Sequence, residues 1–172
     1  MTEPRWLDET QQQAWQGFLV VFGRALPEIE RTFKANGLLS VHYGILVALA
    51  DTPDRTLRLS ELADMANTSQ SRLSHRLRKL VERGDVSTAD DPTDGRVKHA
   101  TLTGRGRRTL DAISPAHADN VRRLLFDQLS PEQTTALADA LSTIASGLCD
   151  HDRFRTDGPG GLRAGRQSLD PR

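Results

Sequence analysis

The chain holds a single cysteine in 172 residues, Cys149. A lone thiol excludes an internal disulfide framework and agrees with a reducing compartment. No apolar run approaches the roughly 18 residues that a membrane span needs. The N-terminal stretch "MTEPRWLDETQQQAWQ" is polar where a secretory leader would carry an apolar core. The expectation is a cytoplasmic protein with no membrane partner. Aromatic residues make up only 5% of the chain and β-branched residues do not cluster, while Ala, Leu, Gln and Arg are plentiful. That balance favours helix. The histidines, at positions 42, 75, 99, 117 and 151, are dispersed, so no metal site is expected. No catalytic constellation is found, and "GPGGLRAG" at 158–165 has no strand or helix around it to make a phosphate loop. Neither an enzyme nor a bound cofactor is expected.

Net charge is absent too, with 23 Lys and Arg against 23 Asp and Glu, but the charges are not evenly spread. Residues 68–108 hold ten Lys and Arg against five acids, and residues 109–150 hold six acids against two Arg. A basic middle in a neutral chain suggests that one surface meets a polyanion. The separation is sharpest in "STADDPTDGRVKHATLTGRGRR" at 87–108, where a turn rich in aspartate precedes an acid-free basic run.

Apolar periodicity predicts mostly helix. Trp15, Phe18, Leu19, Phe22, Leu26, Ile29 and Phe33 recur at helical spacing over residues 8–35, with Pro27 expected to kink or break that helix and Asn36-Gly37 to stop it. A second helix is expected from Ser40, as N-cap, through Leu49. In "LRLSELADMANTSQSRLSHRLRKLVERGDV", Ser60 is expected to cap a short helix with Leu62 and Met65 inward. Thr68 or Ser69 then caps a second helix whose inner face is Leu73, Leu77, Leu80 and Val81, and Gly84 ends it. Two such helices joined by a tight turn are a helix-turn-helix. "VSTA" and "RVKHATL" follow as short strands around "DDPTDG", a hairpin whose Asp94-Gly95 pair tolerates positive φ. A hairpin in that place is a wing. Thr103 starts a long helix with a bend expected at Pro115, and Ser130-Pro131 starts another that carries Leu137, Leu141, Ile144 and Leu148.

On a wheel of about 100° per residue, the second helix of the pair turns Ser71, His75 and Arg78 outward, flanked by Arg72, Ser74 and Lys79. Arg76 falls at the edge of the leucine face, suited to a phosphate or an internal partner. These side chains suit duplex DNA, since Arg takes guanine bidentately, Ser and His reach base edges, and Lys and Arg neutralise phosphate. Arg96 at the wing tip suits the narrow minor groove. Asp91 and Asp94 are expected to shape the turn through hydrogen bonds to backbone, one of them also pairing with an arginine.

The helix-turn-helix, the wing "DDPTDGR" and the exit "ATLTGRGRRTL" together resemble the MarR-type (multiple-antibiotic-resistance regulator) winged-helix transcription factors over about residues 10–148. Asp94, Arg96, Leu102-Thr103 and Gly106 carry the most specific part of that resemblance. It implies a mostly α fold with a small β-hairpin wing, in which a winged helix-turn-helix lobe (38–103) lies between N-terminal (1–37) and C-terminal (104–149) dimerisation helices. A disordered Gly/Arg-rich tail (150–172) would follow. It further implies a homodimer that binds a pseudo-palindromic operator and represses transcription until a small phenolic or anionic effector releases it. Carried over by position, Ser69, Gln70, Ser71, Arg72, Ser74, His75, Arg78 and Lys79 belong to the major-groove helix, and Asp94 and Arg96 to the minor-groove finger. The terminal apolar stripes, too large for one small lobe to cover, point independently to a homodimer. Asp85 departs from the family pattern, which usually has an apolar residue after the glycine. Trp15, Phe18, Phe22, His42 and Tyr43 are the residues of the right kind for the family's effector pocket. Two other readings stay open: a winged-helix protein-interaction module without DNA binding, and a regulator switched by oxidation of Cys149.

Overall fold

The computed structural model describes residues 4–66 and 68–148, so the expected tail and Cys149 lie outside the described residues. The elements run α1 (Glu9–Lys34), α2 (Ser40–Ala50), β1 (Thr56–Arg58), α3 (Leu59–Met65), α4 (Gln70–Glu82), β2 (Val86–Asp90), β3 (Lys98–Leu102), α5 (Gly104–Val121), a π-helical turn (Arg122–Phe126) and α6 (Pro131–Leu148). The strands form one antiparallel sheet in the order β1-β3-β2, with Thr56 opposite Thr101 and Thr88 opposite Ala100. Strand β1 is too short to show an alternating pattern, and it was not expected. It is held to β3 partly by a 2.8 Å hydrogen bond between the Thr56 and Thr101 hydroxyls. Among the described residues no helix is long and apolar enough to cross a membrane, and no His, Cys, Asp or Glu group is placed to hold a metal ion.

The core lies where α2, α3, α4 and the sheet meet the C-terminal part of α1 and the first half of α5. Phe33, Leu38, Leu46, Leu49, Leu62, Leu73, Leu80, Val86 and Ile113 are all buried there. Each fully buried aliphatic or aromatic side chain of this kind contributes about 1.5–3 kcal/mol. Two residues expected inside, Met65 and Val81, are exposed, because each sits at the last turn of its helix, past the end of the face it would share.

Several local expectations are corrected. Helix α1 runs through Pro27 without a break. The proline removes one backbone donor, but the turn after it is clamped to α5, where the Asn120 amide donates to the Glu28 carbonyl (3.2 Å) and the Thr32 hydroxyl (3.0 Å). Helix α5 likewise continues past Pro115, and regular helix gives way only at the π turn. Ser40 is the first helical residue of α2 rather than its cap; Leu39 takes that place, and its N–H donates to Nδ1 of buried His42 at 3.0 Å. Ser60 lies inside α3, which begins directly after β1. There Arg58 is the cap residue and Glu61 accepts its N–H at 3.0 Å.

Candidate nucleic-acid interface

Helix α4 begins at Ser69, whose hydroxyl accepts the Arg72 N–H at 3.3 Å, and it ends where Gly84 takes φ +74°. Leu73, Leu77 and Leu80 are at most 3% exposed, so the rotation of the helix about its axis is set by burial. That rotation turns Ser71, Arg72, Ser74, His75, Arg78 and Lys79 to solvent, with Ser69 and Gln70 exposed at the helix start. Arg76 is half-buried at the edge of the leucine face. Ser71, His75 and Arg78 form the outermost ridge. Arg78 meets Glu82 only at 3.9 Å, with both side chains largely exposed, and such a contact restrains it little. Arg72 and Lys79 have no carboxylate partner among the described residues.

The wing follows directly. Asp91 Oδ1 accepts the Thr93 hydroxyl (2.6 Å), the Thr93 N–H (2.8 Å) and the Asp94 N–H (3.2 Å), and Asp94 Oδ1 accepts the Arg96 N–H (3.0 Å). The Thr93 hydroxyl above all, then these backbone N–H groups, hold the Asp91 carboxyl below the usual carboxylate range. Neither Asp94 nor Gly95 takes a positive φ, so the expected hairpin geometry is replaced by a turn that aspartate side chains close. Among the described residues no arginine pairs with Asp91 or Asp94; Asp91 lies 3.7 Å from His99 instead. Asp90 is occupied across the hairpin by Lys98 at 2.6 Å. The acids of this segment are thus engaged in shaping the loop, and Arg96 projects from its tip exposed and without an ion-pair partner among the described residues.

The five effector-pocket candidates fall in two places. Trp15, Phe18 and Phe22 stack on one another along the outer face of α1, with Trp15 51% and Phe22 55% exposed. His42 and Tyr43 lie in the interior at the start of α2. Burial, then Lys79, and further Arg76 and Arg83 lower the pKa of His42, opposed by Glu30. Tyr43 meets three residues outside the expected set. Its ring centroid is 4.9 Å from that of Phe33 and 5.0 Å from that of His117, and its hydroxyl is 3.1 Å from Ser114 Oγ. His117 also stacks on Phe33 at 5.0 Å, its Nδ1 is buried with no hydrogen-bond partner, and burial pushes its pKa down. Phe33 and His117 are eighty-odd positions apart, and no local spacing joins them. A separate open groove of about 460 Å³ lies between α1 and α5. Its two arginines are already engaged, Arg31 with Glu28 at 2.8 Å and Arg123 with the side-chain Oδ1 of Asn120 at 2.7 Å.

A recognition-type helix set on a leucine face, next to a β-hairpin with a free arginine at its tip, defines a winged helix-turn-helix protein. Known proteins agree. Residues 36–97 match the MarR family model. A MarR family transcriptional regulator from Streptomyces coelicolor, solved in complex with DNA, is 38% identical with a TM-score of 0.79, over 86% of this chain and 93% of that one. AbsC, a second MarR family regulator from Streptomyces coelicolor, is 35% identical with a TM-score of 0.78, over 84% of this chain and 98% of that one. The HTH-type transcriptional repressor YetL of Bacillus subtilis is 28% identical over 61% of this chain and 63% of its own length. The chain belongs to the MarR family of transcriptional regulators.

Proposed function

We propose that this protein is a cytoplasmic homodimeric repressor that docks α4 in the major groove of a pseudo-palindromic operator and Arg96 in the flanking minor groove. The observation that carries this reading is the outer face of α4. Arg72 and Lys79 flank the ridge Ser71–His75–Arg78 over a buried leucine face, with Arg96 exposed at the tip of the next hairpin. Ser71, Ser74, His75 and Arg78 reach base edges, Arg72 and Lys79 neutralise phosphates, and Asp94 holds the backbone from which Arg96 projects. Dimerisation is supported by the exposed apolar faces of α1 and α6, and repression by the likeness to YetL. The test is selection from a random duplex library. The expected result is enrichment of an inverted repeat with half-sites about one helical turn, 10 bp, apart. Failure to enrich any sequence contradicts the reading.

The Phe33–Tyr43–His117 cluster supports a small aromatic effector with a hydroxyl or acid group. Neutral His117 offers an unused Nδ1, and the Tyr43 and Phe33 rings offer an apolar wall. Such a ligand releases DNA in the same assay. His117→Phe, which removes the free nitrogen, keeps DNA binding and abolishes release.

A further inference from the structure

Asp85, at the root of the wing, is completely buried, 0% exposed. A buried carboxylate is costly unless paired and hydrogen-bonded, and here it is both. Arg83 Nε donates to Oδ2 at 2.7 Å, the Thr109 hydroxyl donates to Oδ1 at 2.8 Å, and Arg105 Nε lies 3.7 Å from Oδ1. The backbone of the same residue is equally engaged. Its N–H donates to the Leu80 carbonyl at 2.9 Å, and its carbonyl accepts both the N–H and the hydroxyl of Thr103 at 3.1 Å. Strand β2 leaves from Asp85 and strand β3 returns to Thr103, so both legs of the wing are pinned at this one point.

Arg83 carries the connection further. Its Nη1 donates to the carbonyl of Asn36 at 3.3 Å, in the corner between α1 and α2. Gly37 in that corner has φ +69°, and a Cβ on it would come 3.3 Å from the same Nη1. The planar guanidinium thus spans two elements at once, as a lysine ammonium on one stem cannot. An apolar residue at position 85 would fill the space at lower cost but would give Arg83 nothing to hold.

We propose that Arg83 and Asp85 form a strut tying the root of the wing to the end of α1, and that they are positioning residues acting through Arg96. The strut rests on the reading of this lobe as DNA-binding. It makes the pose of the wing depend on where the end of α1 lies relative to α4.

The test is a double-mutant cycle on the DNA duplex that the wild-type dimer selects, read by fluorescence anisotropy. Arg83→Lys lowers affinity about tenfold when Arg96 is present and less than about twofold in an Arg96→Ala background, because both changes remove the same contact. Asp85→Asn, which keeps size and the Thr109 hydrogen bond, gives the same pattern and is read in place of Arg83→Lys should that variant lose its cooperative melt. Equal losses in the two backgrounds, with the wild type binding normally, overturn the strut alone. A wild type that binds no selected DNA overturns the DNA reading and the strut together.

Discussion

At the scale of single residues, two kinds of site govern what this chain tolerates. One is close backbone approach. Gly106 sits in the first turn of α5 against the Asp85 carbonyl and the Leu102 side chain, where a Cβ has no room. Gly106→Ala therefore costs about 1–3 kcal/mol or more in urea denaturation, whereas Gly104→Ala, whose nearest neighbour would be Arg108 Nη1 at 3.8 Å, is close to neutral. The resemblance singled out Gly106, but its physical reason, the carbonyl of a residue in another element, appears only in three dimensions. The other kind of site is the buried imidazole. Burial pushes both His42 and His117 below the ordinary 6.5, so protons bind the unfolded chain more readily than the folded one. Stability is then complete above that value and falls as pH drops below it. The urea midpoint should decrease from pH 7.5 to pH 5.5, and His117→Phe should flatten the decrease; an unchanged pH profile in that variant contradicts the role given to His117. His42 and Tyr43 were legible as polar tips in an apolar place. The cluster that Tyr43 joins was not, because Phe33 and His117 meet through the packing of α1 against α5.

At the scale of elements, helices were legible and their ends were not. The inner face of α4 followed from spacing for Leu73, Leu77 and Leu80, which fall on one side, but not for Val81, which the last turn leaves exposed. The sequence offered Thr68 or Ser69 as its cap, and Ser69 takes that place. Ser69→Ala should cost about 1 kcal/mol of stability and weaken DNA binding by fraying the turn that carries Gln70 and Ser71, read by urea titration and anisotropy. The caps of α2 and α3 were misplaced by one or two residues, since a histidine ring and a glutamate carboxylate reached back to do what a serine was expected to do. Pro27 does not break α1 for a tertiary reason, in that docking of α1 on α5 holds the helix together across it. Strand β1 pairs with β3, a partner some forty residues ahead, and three residues carry no period of their own.

At the scale of the whole molecule, one protomer leaves too much apolar surface in water. Trp15, Phe18, Leu19 and Phe22 on α1, with Leu141, Ile144 and Leu148 on α6, are exposed in the single chain. Faces of this extent are covered by self-association in a two-fold dimer. Phe22→Glu should shift sedimentation equilibrium toward monomer and, because half-sites are then bound singly, reduce operator affinity sharply; a variant that remains dimeric contradicts the assignment of this face. The separation of charge over residues 87–108 also belongs to this scale. Asp91 and Asp94 are engaged inside the loop and Asp90 with Lys98, which leaves Arg96 exposed at the tip without an ion-pair partner among the described residues.

The most direct measurement is the salt dependence of anisotropy binding to the selected duplex, for wild type and Arg96→Ala side by side. Joint reading by α4 and the wing predicts that the variant stays dimeric, binds about tenfold or more weakly, and loses roughly one unit of slope in log K against log salt. Equal affinity and equal slope would mean that the wing does not touch DNA, and would contradict the interface described above.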